Sequence, residues 1–103
     1  MLISVIIERS KRKHKKYVAK IYNPYIYEKP KKIHFGDNRY QDYTMHKDPK
    51  RKELYLLRHS KYNTTDIYTP GFWATNLLWN KTTLKDSAKD IKKRYNISPL
   101  ILK

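Results

Sequence analysis

The stretch FGDNRYQDYTMHKDPKRKELYLLRH, residues 35–59, and its aromatic sequel GFWATNLLWNK, residues 71–81, hold both glycines and both tryptophans of the chain. Their punctuation sets the fold. In Asp48-Pro49 an aspartate N-cap precedes a proline at the first helical position, where a missing N–H costs no intrahelical bond. A helix is therefore expected over residues 49–61, with Leu54, Leu57 and Lys61 or Tyr62 on one face, Lys50, Arg51 and Arg58 beside it, and Tyr55 and His59 as an i, i+4 pair. Thr69-Pro70 repeats the signature and opens a short helix whose Phe72, Trp73, Leu77, Leu78 and Trp79 wrap most of its circumference, so it must be buried. Both tryptophans then read as core, the functional alternative being Trp79 or Trp73 as a stacking platform for bases. Gly36 marks a turn that needs positive φ or a close backbone approach. Tyr40, Tyr43 and Thr44 or His46 allow a short helical turn within residues 39–46.

Working outward, LISVII at residues 2–7 is β-branched and continuously apolar, a strand buried on both faces or docked along one edge of the core. A second β-rich run, YVAKIY, occupies residues 17–22, and the simplest connection is a hairpin through the basic segment 9–16. Asn23-Pro24 is a turn, residues 25–27 can extend as a short strand, and KKIHF at 31–35 alternates Ile33 and Phe35 with Lys32 and His34. Downstream, Thr83 with Asp86 forms a variant capping box before the stripe Leu84, Ala88, Ile91, Tyr95, and Asn96 stops that helix. The apolar, proline-broken tail 97–103 either docks on the core or meets a partner. The expectation is one α+β domain over residues 1–103: β-rich to residue 35, helical over 36–96, then the tail. A small N-terminal antiparallel sheet of two or three strands would be followed by about three helices, the last one or two covering it.

Charge narrows the function. Lys and Arg number 24 against 9 Asp and Glu, a net +15, and the isoelectric point is near 10.0. Such a field favours polyanions, nucleic acid ahead of anionic membrane. An AT-rich coding sequence also yields lysine, tyrosine and asparagine, but leaves so large an excess unexplained. With 103 residues, one core is available and a spacious catalytic cleft is not, so a multi-step enzyme is not expected. The ten tyrosines, two tryptophans and two phenylalanines make up for a hydrophobic share of only 39%. Cysteine is absent, which removes disulfides and thiolate zinc sites. The apolar opening is too short for a signal sequence and its cations follow rather than precede it. No run approaches the ~20 apolar residues of a membrane span, and an intracellular location is expected.

The chemistry-bearing residues point the same way. The histidines have neither an i, i+4 pair nor an HExxH context, so zinc is not expected. Asp37, Asp42, His46 and Asp48 could gather as a Mg²⁺ nuclease centre, but the same acids serve equally as turn caps and partners of arginine. There is no glycine-rich phosphate loop and no nucleophile elbow. No cofactor, no metal and no catalytic residue is assigned. What remains is binding: Arg9, Lys11, Arg12, Lys13, Lys15 and Lys16 as a phosphate-contacting finger, Lys85, Lys89, Lys92 and Lys93 on the last helix, and Arg39, Arg51, Arg58 and His59 within the central stretch. The bland alternative for the finger is a solvated loop that keeps a sheet edge from aggregating. Nothing spells a base-reading module, so binding is expected to be largely independent of sequence, with DNA ahead of RNA.

The combination of the 35–59 block, GFWATNLLWNK and TLKDSAKDIKKRY resembles a family of small, basic, functionally uncharacterised proteins encoded by large nucleocytoplasmic DNA viruses of protists and algae. The resemblance covers roughly residues 31–97, in the pattern FG, DYT.H.D..RK..Y..RH, GFW and LLWNK. Arg39 stands where that pattern often has glycine before the tyrosine, which alters the turn at residues 37–39. The resemblance implies a viral protein located in the virion, the host cytoplasm or the viral factory. It carries no catalytic role, and its two functional expectations are nucleic-acid binding or genome packaging, and a minor capsid or core component that binds acidic protein or membrane.

Overall fold

A computed structural model describes residues 3–26, 28–59 and 65–101. Strands β1 (Ile3–Arg9), β2 (Lys15–Tyr22) and β3 (Lys31–Asp37) come first, then helices α1 (Tyr43–His46) and α2 (Pro49–Arg58). Helix α3 (Pro70–Trp73) runs on into a π turn (Ala74–Leu78), and α4 (Leu84–Tyr95) and β4 (Ile97–Ile101) close the chain. The class is α+β, as the pattern of residues implied.

The sheet is larger than expected. Its order is β3-β2-β1-β4, antiparallel except that β4 runs parallel to β1 with Ile97 beside Ile3. The expected tail is thus a strand as far as Ile101; Leu102 and Lys103 lie outside the described residues. Asn96 makes this possible, because its left-handed backbone (φ 55°) ends α4 and turns the chain straight into the buried Ile97. A parallel pair needs a long connection, and the whole helical layer supplies it. The basic loop is correspondingly shorter: Arg9 pairs with Tyr17 at the end of β1, Lys15 and Lys16 belong to β2, and only residues 10–14 connect them. Residues 24–26 form a turn, tied by the Ile26 N–H to the Asn23 carbonyl (3.1 Å), rather than the expected short strand; Tyr27 lies outside the described residues.

One face of the sheet is covered. Val5, Ile7, Ala19, Ile21 and Phe35 point at Phe72, Trp73, Leu77, Leu78, Ala88 and Ile91, and Ile97 completes the core. Each such buried large side chain stabilises by about 1.5–3 kcal/mol. The apolar run of β1 is therefore not buried on both faces: Ser4 is exposed and Ile6 half-buried on the uncovered side. Phe35 sits 6.2 Å from Trp73, and Phe72 meets both Trp73 and Tyr95 edge-on at 4.9 Å. Trp73 donates its indole N–H to the Ile67 carbonyl (2.7 Å).

The caps follow local chemistry. Asp48 accepts from the Lys50 N–H, Thr69 from the Phe72 N–H and Thr83 from the Asp86 N–H, and each begins its helix where the residue types require. Helix α2 stops at Arg58 rather than 61, since the His59 ring donates Nδ1–H to the Tyr55 carbonyl (2.9 Å) and closes the last turn; residues 60–64 lie outside the described residues. The sheet edges are blunted, β3 by exposed Lys31 and Lys32 and β4 by Pro99.

Gly36 satisfies both demands read from the sequence, although β3 continues one residue past it. Its φ is +75°, and a Cβ there would lie 2.8 Å from Leu78 Cδ1 and 3.2 Å from Lys16 Cβ. Gly36→Ala is expected to cost about 1–3 kcal/mol through left-handed strain and overpacking against a buried leucine. Urea unfolding should show a lower midpoint with an unchanged slope.

Candidate nucleic-acid interface

The cations expected to bind fall into three groups. At the hairpin tip, Lys11, Arg12 and Lys13 are exposed beside Arg9. The tip is held by Ser10, whose Oγ accepts from the Arg12 N–H (3.0 Å) and shares a hydrogen bond with His34 Nδ1 (2.7 Å) on β3. On α4, Lys85, Lys89 and Lys92 recur at i, i+4 and i+7 and line an open cleft of about 720 Å³ with Lys47, Thr44, Thr83 and Ser98. Lys93 is exposed but does not line that cleft. Between the sheet and α2 lies a second cleft of about 1010 Å³ that takes in Lys15, Lys16, Arg51, Arg58 and His59.

Two expected phosphate ligands are already engaged. Lys16 Nζ is 2.5 Å from Asp42 Oδ2, with side-chain exposures of only 11% and 3%, and it also touches the Met45 sulfur. Arg39 forks onto Asp37 through Nε and Nη2, at 3.0 and 2.8 Å. That fork, together with the Arg39 backbone N–H, holds the Asp37 carboxyl well below the usual carboxylate range. The Asp37–Arg39 fork is the acid–arginine pairing that the sequence offered as the alternative to a metal centre, whereas spacing has no means of showing Lys16–Asp42, which joins β2 to the turn after β3. Lys15, Arg51 and Arg58 make no ion pair among the described residues, and Arg51 reaches only the Gln41 amide oxygen at 3.4 Å.

The acids weighed as a metal centre are each occupied separately. Asp37 holds Arg39, Asp42 holds Lys16 and caps α1 through the Thr44 N–H, and Asp48 caps α2. Among the described residues no three His, Asp or Glu side chains gather where they could share an ion.

The second cleft contains a ring column that residue patterns did not show. Tyr55 stacks on Trp79 at 4.2 Å with planes 2° apart, and on its other side on His59 at 4.1 Å; His46 adds a tilted ring 5.2 Å beyond Trp79. Burial pushes the Tyr55 hydroxyl up in pKa. The widened π turn, closed by the Trp79 N–H on the Ala74 carbonyl (3.2 Å), delivers Trp79 to this column while Leu77 and Leu78 stay in the core. Trp79 is thus half-buried and stacked on the protein's own tyrosine, whereas Trp73 is wholly core. Lys52 ties α2 down from the side by donating to the Asn80 carbonyl (2.6 Å), and burial lowers its pKa.

Helix α2 buries no residue, and the face that Leu54 and Leu57 share is open: Leu57 is 69% and Leu54 47% exposed, facing the second cleft near Tyr40, also 69% exposed. Amphipathic spacing sets which residues share a face but not what that face meets. The only signal in the sequence is the density of cations flanking these leucines.

A four-stranded mixed sheet with helices on one face, cut by two cation-lined clefts, defines a small basic α+β domain. Residues 5–59 match the family of unknown function DUF5754, and since this is more than half of the chain, the protein belongs to that family. The matched region runs from β1 to the end of α2 and so includes most walls of the second cleft. No curated protein and no solved structure matches the chain.

Two expected outcomes follow from the paired and buried groups. Asp42→Ala, which strands Lys16 in a nearly closed site, is expected to cost about 3 kcal/mol. Arg39→Ala, at the exposed fork, is expected to lower the urea midpoint far less than Asp42→Ala does, and urea denaturation of the two variants measures the difference. His34 and His46 both have lowered pKa values, chiefly through burial and then through nearby Arg12 and Arg51 respectively. The unfolded chain therefore takes up their protons first, so stability is full above the ordinary histidine pKa of about 6.5 and falls as pH drops through and below it. Between pH 7 and 5 the unfolding midpoint should decline, and the variant His34→Gln/His46→Gln should show a flatter profile.

Proposed function

We propose that the protein is a non-enzymatic nucleic-acid-binding or genome-packaging protein, largely indifferent to sequence, with DNA ahead of RNA. The observation that carries this reading is the placement of cations that make no ion pair among the described residues. Lys11, Arg12 and Lys13 stand at the hairpin tip, Lys85, Lys89 and Lys92 line one cleft, and Lys15, Arg51 and Arg58 line the other. Of the acids nearby, Asp42 is held by Lys16, Asp37 by Arg39 and Glu8 by Lys20, and Asp48 caps α2, while Asp86 on α4 and Glu53 on α2 stay exposed among a larger number of cations. What is left to solvent is a surface whose counterions a polyphosphate releases on binding. A viral setting, in the virion or at the viral factory, is proposed from the sequence resemblance alone.

A minor capsid or core role anchored through the apolar end has less support, since Ile97–Ile101 is committed to β1. A Mg²⁺ nuclease has none in the arrangement of Asp37, Asp42 and Asp48. No helix among the described residues is long and apolar enough to cross a membrane.

If about five phosphates are neutralised, log K should fall with log salt at a slope of about −4.5. Fluorescence anisotropy of labelled DNA and RNA across a salt series measures it. Undetectable or salt-insensitive association with all of these ligands would sink the reading.

A further inference from the structure

The two clefts share cations but differ in what lies between them. The α4 cleft presents Lys47, Lys85, Lys89 and Lys92 around threonines and aliphatic groups, with no aromatic ring in its lining among the described residues. The α2 cleft sets Lys15, Arg51 and Arg58 around exposed Tyr40, Leu54 and Leu57, backed by the Tyr55–Trp79 stack. A duplex turns its phosphates outward and keeps its base faces hidden, so it can use the first lining fully but leaves the apolar floor of the second uncovered. A single strand presents both phosphates and bare base faces. Exposed apolar groups rimmed by charge mark a binding surface rather than an ordinary exterior.

We infer that the cleft between α2 and the sheet binds single-stranded nucleic acid, its bases against Tyr40, Leu54 and Leu57 and its phosphates on Lys15, Arg51 and Arg58. This rests on the nucleic-acid reading above and adds the strandedness of the ligand and the place where bases sit. The charge balance favours an anionic occupant, because the acids lining the cleft, Asp37 and Asp42, are both paired to internal cations. Tyr40, 69% exposed at the cleft, favours bases over an acidic peptide, since every base offers a π-face to an open ring, whereas Tyr55 is already covered by Trp79 and His59.

The test compares a twenty-residue oligo(dT) strand, an abasic strand of the same length, a random-sequence duplex and poly-glutamate, against the native protein and the variants Tyr40→Ala/Leu57→Ala and Lys11→Ala/Arg12→Ala/Lys13→Ala. The first pair of residues is well exposed, so the fold should persist, and the urea midpoint checks this. The native protein should bind oligo(dT) about tenfold more tightly than the abasic strand, because the two differ only in their bases. Tyr40→Ala/Leu57→Ala should lose about the same factor on oligo(dT) and nothing on duplex, while Tyr40→Phe keeps the native affinity. The hairpin variant should weaken strand and duplex alike. Equal binding of oligo(dT) and abasic strand overturns the inference and leaves the general nucleic-acid reading standing. Poly-glutamate binding as tightly as oligo(dT) and weakened equally by Tyr40→Ala/Leu57→Ala also overturns it, and assigns the cleft to acidic protein. Absence of binding to every nucleic acid overturns both readings.

Discussion

Both carboxylate oxygens of Asp42 are occupied, and from this the position of the helical layer follows. One oxygen caps α1 by accepting from the Thr44 N–H and hydroxyl; the other receives Lys16 from β2 across the fold. The pair is nearly closed to water, where an unpartnered charge is costly, so β2 and the start of α1 are held at one separation. Helix α2 follows α1 after only two residues and cannot drift far from that anchor. With α2 placed, Tyr55 meets Trp79, and the cleft lined by Arg51, Arg58 and Lys15 has its walls.

What could be read from the residues was what a few neighbouring residues determine. Asp48-Pro49, Thr69-Pro70, Thr83 and Asn96 mark helix ends because a cap is settled by bonds that reach two or three positions along the chain. The hairpin and the stripe on α4 were legible for the same reason. The parallel pairing of β4 with β1 was not, since it joins opposite ends of the chain and no local pattern distinguishes a docked tail from a strand. The candidate site was legible only in part. Basic residues on the hairpin and α4 lie exposed where expected, yet Lys16 and Arg39 look like their neighbours in sequence and are bound internally in the fold. Leu54 and Leu57 say least about their surroundings, because helical spacing sets an apolar face without showing that Tyr55 and Lys52, not the leucines, would anchor the helix.

The two clefts divide the surface by chemistry as well as by position. Thr44 and Lys47, at α1, belong to the α4 cleft, while Asp42 and Gln41, just before it, belong to the α2 cleft. A short helix of four residues is thus the partition between a lysine-threonine groove and an arginine-aromatic one. The π turn contributes to the same division. By fitting one more residue into its last turn, it keeps Leu78 in the core and still brings Trp79 to the cleft side.

The blunted sheet edges have a consequence for the protein in numbers. A polyanion gathers basic proteins at local concentrations far above that of the surrounding solution, conditions under which open strands tend to join edge to edge. Here one border carries Lys31 and Lys32, which repel the same border of a second copy, and the other carries Pro99, which has no N–H to offer a new strand. Under the proposed binding, copies crowded along one polyanion would stay separate beads and not fuse into a continuous ribbon.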